Sequence, residues 1–154
     1  MHTVRELLYH DLDPLLSLYE HLHSSDVKLP SRREIEDIWR RLCESPDHLY
    51  FGVDLEAKLV ASCTVTIVPN LTRGARPYGL IENVVTHADH RRIGLGRAVV
   101  SRALEKSWAR RCYKVMLMSG AGRQSIHSFY EALGFDPDAK QAFLVWPDYH
   151  AIPK

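Results

Sequence analysis

The chain has 154 residues, 45% apolar and 25% charged, with 20 lysines and arginines against 19 aspartates and glutamates for a net charge of +1. That balance excludes bulk electrostatic attraction to nucleic acid or a membrane surface, and no apolar run is long enough to span a bilayer. Length and composition fit one soluble globular domain, residues 1–154, able to bury its own core.

Residues 3 to 6 read as a short first strand. A helix is expected over Asp11 to His23, with Leu15, Leu16, Leu18, Tyr19 and Leu22 on its apolar positions, Pro14 in the first turn and Asp11 or Asp13 as N-cap. Arg32 to Glu44 reads as a second helix with Ile35, Ile38, Trp39 and Leu42 on one face; Ser31 and Glu34 form a capping box. Tyr50 to Val53 and Leu59 to Val68 read as antiparallel strands around Leu55-Glu56-Ala57-Lys58. A loop from Pro69 to Pro77 carries Arg73 and Arg76, which could meet an anionic group or simply face solvent. Leu80 to Thr86 is the next strand, a helix begins near Ile93, and Cys112 to Met118 reads as a buried strand. Gln124 to Leu133 is a short helix closed by Gly134, where left-handed geometry is wanted. With a last strand beyond it, the order βααβββαβαβ is an α+β layout with a mixed, mostly antiparallel sheet flanked by helices. Cys43, Cys63 and Cys112 are widely spaced, without a C-x-x-C pair, and the first residues lack a signal-peptide apolar run. Reduced thiols in the cytoplasm are therefore expected, with neither a disulfide framework nor a metal site.

The segment Arg91-Arg92-Ile93-Gly94-Leu95-Gly96-Arg97 is the most informative. Glycines let a backbone approach a ligand, the first N–H groups of a helix lack intrahelical partners, and the helix dipole with nearby arginines favours an anion. A P-loop is excluded because Arg97-Ala98 follows the glycines, and a dinucleotide fingerprint because position 99 is valine. The pattern that fits is R-x-x-G-x-G, over Arg91, Gly94 and Gly96. Together with Phe129-Tyr130-Glu131-Ala132-Leu133-Gly134-Phe135, an F-Y-x-x-x-G-F segment in the right order, it resembles the GCN5-related N-acetyltransferase (GNAT) family. The likeness is close over roughly residues 78 to 146 and departs at Arg123, where many members carry an asparagine that contacts the coenzyme.

The resemblance implies the GNAT fold and an acetyl-CoA-dependent N-acetyltransferase acting on a primary amine of a small molecule. It implies that the backbone of Val84, Val85 and Thr86 aligns with the pantetheine arm like an added strand. It also implies that amides of Arg92, Gly94, Leu95, Gly96 and Arg97 hold the pyrophosphate, with Arg91 and Arg92 adding charge. Tyr130 takes the place of the tyrosine that many members use as general acid toward the coenzyme sulfur. From the residues themselves, Glu82 is the candidate base: it lies in an apolar strand, where alternation puts Glu82, Val84 and Thr86 on one face and partial burial would raise its pKa. A structural ion pair is its alternative. His87, His90 and His127 read as surface histidines. Cys63 and Cys112 read as small core residues, which disfavours an acyl-cysteine route and favours direct attack in a ternary complex. Trp39, Trp108 and Trp146 read as packing for the core or a dimer surface. The paired arginines (32–33, 40–41, 91–92, 110–111) fall on separate elements without interleaved aromatics, which speaks against a nucleic-acid track. Many family members dimerise, and the residues do not decide this. A non-catalytic acyl-CoA sensor on the same fold is the competing reading.

Overall fold

The computed structural model describes residues 2–23 and 26–145, which fall into two compact units, Met1–Leu117 and Met118–Lys154. Trp146 and any strand it belongs to lie outside the described residues.

In the first unit, β1 (Arg5–Glu6) leads through a 3-10 turn (Tyr9–Asp11) into α1 (Leu12–Tyr19) and then α2 (Arg32–Glu44). The α2 start is the expected capping box: Ser31 Oγ accepts from Glu34 N–H at 3.4 Å, and Glu34 returns a carboxylate to Ser31 N–H at 3.0 Å. At α1 neither aspartate caps as expected. Asp11 is buried and accepts from Leu8 N–H at 2.7 Å and from both Arg5 Nη atoms at 2.7 and 2.8 Å. Asp13 is taken by Arg32 instead. Arg5 also holds Asp54 at 2.5 Å, so one guanidinium ties β1, the α1 entry and β2 together.

Strands β2 (His48–Leu55) and β3 (Lys58–Val68) form the hairpin, closed by Glu56 and Ala57 at φ 49° and 61°. A one-turn α3 (Thr72–Ala75) follows, with Arg73 and Gly74 left-handed, and then β4 (Tyr78–Thr86). A second 3-10 turn (Ala88–His90) precedes α4 (Leu95–Ala109), which crosses over to β5 (Val115–Leu117). The sheet runs β1-β2-β3-β4-β5, antiparallel except for the β4–β5 pair. A parallel neighbour needs a crossover, and α4 is that crossover.

Leu59 through Thr64 of β3 are all buried, because helices cover both faces of the sheet. Cys63 donates its Sγ–H to Val99 C=O of α4 on one face. On the other, Leu12, Leu15 and Leu18 of α1 and Trp39 of α2 pack with Val85 of β4. Trp39 is a core residue, as expected, and its Nε1–H donates to Tyr9 C=O at 2.8 Å. Trp108 is 51% exposed and takes no part in the core. The expected buried strand over 112–118 is corrected to three residues at the sheet edge, with Met116 and Met118 largely exposed and Cys112 buried in the preceding turn. An edge strand has one neighbour to pair with, so the apolar run outlasts the ladder.

In the second unit, α5 (Gln124–Glu131) ends at Gly134 with φ 91°, the left-handed residue expected there. Among the described residues no strand follows α5.

Candidate active site

Strand β4 changes character half-way. Gly79, Leu80 and Ile81 pair with β5 on one side and β3 on the other. Beyond Ile81 the β5 pairing stops, while β3 pairing continues to Thr86. The stretch Glu82 to Thr86 therefore presents a main-chain edge with no strand beside it among the described residues.

The same stretch carries a β-bulge. Thr64 pairs with Glu82 and Ser62 with Val85, so Cys63 alone faces Asn83 and Val84. Asn83 is the extra residue, left-handed at φ 53°, a conformation asparagine tolerates better than other L-residues. The bulge corrects the expected alternation. Glu82 shares a face with Val85, the face covered by α1 and α2, and Thr86 lies on the α4 face. Glu82 is half-buried, and its carbonyl accepts from Thr64 Oγ1 at 3.0 Å.

After β4 the chain turns through His87 and the second 3-10 turn into the glycine loop. Arg92 is left-handed at φ 63° and Gly94, the N-cap of α4, at φ 90°. The first helix bond runs from Ala98 N–H to Gly94 C=O at 3.0 Å, so the amides of Leu95 and Gly96 precede the ladder. A Cβ built on Gly94 would meet nothing within 4 Å, so the space before the helix start is open. Open space, left-handed turns and early helix amides fit a diphosphate. Arg92 and Arg97 are exposed beside it. Arg91 has an architectural duty as well: its Nε donates to Thr86 C=O and its Nη2 to His21 C=O, each at 3.2 Å.

The histidines are less scattered than their sequence positions imply. The His21 and His87 rings lie 4.0 Å apart, and His87 and His90 5.4 Å. His87 Nδ1 also accepts from Asp89 N–H. A cleft of about 570 Å³ borders His87 and His90 and is lined further by Arg5, Asp11, Asp54 and Lys58. Its charges largely answer one another. Arg76 does not await an anion: it donates to the carbonyls of Arg111 and Cys112. Arg32, Arg40 and Arg110 are paired with Asp13, Asp37 and Asp47.

Both core cysteines are placed as expected, Cys63 and Cys112 being 0% and 3% exposed. Burial pushes the Cys63 thiol up to about 12 and raises Cys112 as well. Among the described residues no group of three histidine, cysteine or carboxylate side chains is placed to hold a metal ion, and no helix is long and apolar enough to cross a membrane.

Within the second unit, Tyr130 is half-buried on α5, edge-on to Phe129 at 5.0 Å and Phe135 at 5.9 Å. His127 Nε2 lies 3.0 Å from Gly120 C=O. Arg123 occupies the N-cap of α5 and makes no side-chain capping bond, as a side chain without an acceptor must.

A family model described as the acetyltransferase (GNAT) family matches residues 12–135. The chain belongs to the GNAT family. It has the GNAT fold and is an acetyl-CoA-dependent acetyltransferase. A curated relative, the glucosamine 6-phosphate N-acetyltransferase of Trypanosoma brucei brucei, is 33% identical over 149 residues, covering 92% of this chain and 93% of that protein. The solved structure of a putative acetyltransferase from Agrobacterium tumefaciens str. C58 superposes with a TM-score of 0.88 at 40% identity, over 94% of this chain and 99% of that one. The fold is shared with AAC(6')-Iy, solved in complex with the bisubstrate analogue CoA-S-monomethyl-acetylneamine (TM-score 0.77, 11% identity, 96% and 99% coverage).

Proposed function

We propose that this acetyltransferase acts on the primary amine of a small molecule by direct attack within a ternary complex. The observation that carries the reading is the split of β4 from β5 after Ile81, immediately ahead of the glycine loop. Val84, Val85 and Thr86 offer main-chain groups to an extended arm. The amides of the Arg92–Arg97 loop, with the cationic side chains of Arg91 and Arg92, serve the diphosphate. Bound acetyl-CoA supplies an activated thioester. An N–H of the β4 bulge polarises its carbonyl, as an oxyanion hole does.

Glu82 is the proposed base. Its carboxylate takes the proton of the attacking amine, directly or through water, as the C–N bond forms and the C–S bond breaks. Tyr130 is the proposed acid, giving its phenolic proton to the departing sulfur. Neither buried cysteine suits an acyl-enzyme, since a thiol with a raised pKa forms little thiolate. Both compact units are assigned to one catalytic domain because the family match runs through the boundary between them. The free state of all three cysteines suits the cytoplasm. The named activity of the trypanosomal relative makes a phosphorylated amino sugar the first acceptor to try. Thiol release from acetyl-CoA across a panel of small amines tests the proposal. Turnover with at least one is expected; tight coenzyme binding with no turnover on any would make the chain a sensor.

A further inference from the structure

Buried hydroxyls in the first unit are almost always bonded. Thr64 donates to Glu82 C=O and Ser107 to Ala103 C=O. Two are not: Tyr19 OH and Ser62 Oγ are covered and have no hydrogen-bond partner among the described residues. Leaving such a group unmade costs about 1–3 kcal/mol, so an unpaired pair calls for an explanation.

Their placement supplies one. Ser62 is fully buried on β3 and stands opposite Val85 of β4, one rung from the bulge. Tyr19, the last residue of α1, packs into the cluster that contains Val85. Its hydroxyl feels the Asn83 side chain at the bulge without closing a bond to it. Both hydroxyls thus belong to the α1 face of the sheet, at the level of the β4 stretch assigned to the reacting thioester. Burial pushes the Tyr19 phenol above its ordinary range, so it stays neutral. Two neutral groups, each able to donate and accept, match a partner that also does both. A hydroxyl qualifies; a carboxylate or phosphate, which only accepts and carries charge, does not.

We propose that Tyr19 and Ser62 are specificity-determining residues that bind a hydroxyl group of the acceptor next to its reacting amine, so that the preferred substrates are 2-amino alcohols, amino sugars among them. This rests on the acetyl-transfer reading above. Both oxygens are covered in the free chain, and the partly exposed Tyr19 ring must turn to admit the acceptor.

The test compares matched amines, 2-aminoethanol against propylamine and glucosamine against cyclohexylamine, in the wild-type enzyme and in Tyr19→Phe and Ser62→Ala. The wild type is expected to favour the hydroxylated member of each pair by at least about tenfold, since a site built to bond a hydroxyl rejects the analogue lacking it. Each variant should lose that preference while keeping the KM for acetyl-CoA and a melting temperature no lower than wild type, because an unbonded hydroxyl is removed. Equal losses on both members of a pair, or a lowered melting temperature, would overturn the inference and make the hydroxyls structural. A wild type that acetylates no amine would instead sink the catalytic reading itself, and this inference with it.

Discussion

The two halves of β4 differ in what surrounds them. Tyr78 to Ile81 has a strand on either side, so its backbone groups are consumed in the ladder and its residues act as framework. Glu82 to Thr86 keeps β3 but loses β5, and a left-handed asparagine breaks its alternation. One strand is thus anchored at its start and open at its end. The anchored half fixes the position of the open one, and the unmet main-chain groups lie where the proposed chemistry needs donors.

The sharpest way to break this contrast is to remove the ligand from the open end. Gly94→Asp puts a side chain and a negative charge at a φ of 90°, facing the space assigned to a diphosphate. Coenzyme A affinity measured by calorimetry should fall by more than about a hundredfold, roughly 3 kcal/mol, with the circular dichroism spectrum unchanged. Unaltered affinity would leave the open half of β4 without a cofactor. Next in size, Tyr130→Phe should lower turnover by roughly a hundredfold while leaving coenzyme affinity alone, as expected for loss of a general acid. Near-wild-type turnover would return Tyr130 to packing.

Two substitutions probe the framework instead. Asp11→Asn removes a buried acceptor of two Arg5 bonds and should destabilise the fold by about 2–3 kcal/mol with little change in coenzyme affinity. The pH response follows. The Arg5 hydrogen bonds hold the Asp11 carboxyl below its usual range, so its contribution is fully present above the unfolded-state value near 4 and is lost as pH falls through the lower folded value. Wild-type stability should drop below about pH 4 more steeply than that of the variant; parallel urea-denaturation curves would refute the link. Smallest of all, Arg123→Asn gives α5 the capping acceptor it lacks and should add about 1 kcal/mol of stability, visible as a small rise in melting temperature.

The sequence was most legible where a local rule has a local signature. Ser31 and Glu34 announce the α2 cap, Gly134 the end of α5, and Gly94 and Gly96 the loop before α4, because each answers to its immediate neighbours. The bulge was missed because strand alternation assumes an unbroken ladder, although a lone asparagine between Glu82 and Val84 in an apolar run was a usable sign. The Arg5–Asp11–Asp54 network and the His21–His87 contact join residues far apart in the chain, and no local periodicity encodes such pairs. The edge position of β5 was hidden for a similar reason: an apolar run does not say how many neighbours it will find.

The β2–β3 turn bears on how the molecule folds. Glu56 and Ala57 both adopt left-handed backbone angles without being glycine or asparagine, a conformation that strains each by about 1 kcal/mol. A corner of that kind cannot start the hairpin by itself. Contacts between the strands must come first and force it shut, which places the hairpin late in the order of assembly. Substituting Asn-Gly at these two positions should let the corner lead, shortening the refolding time in stopped-flow measurements while catalysis stays as it was.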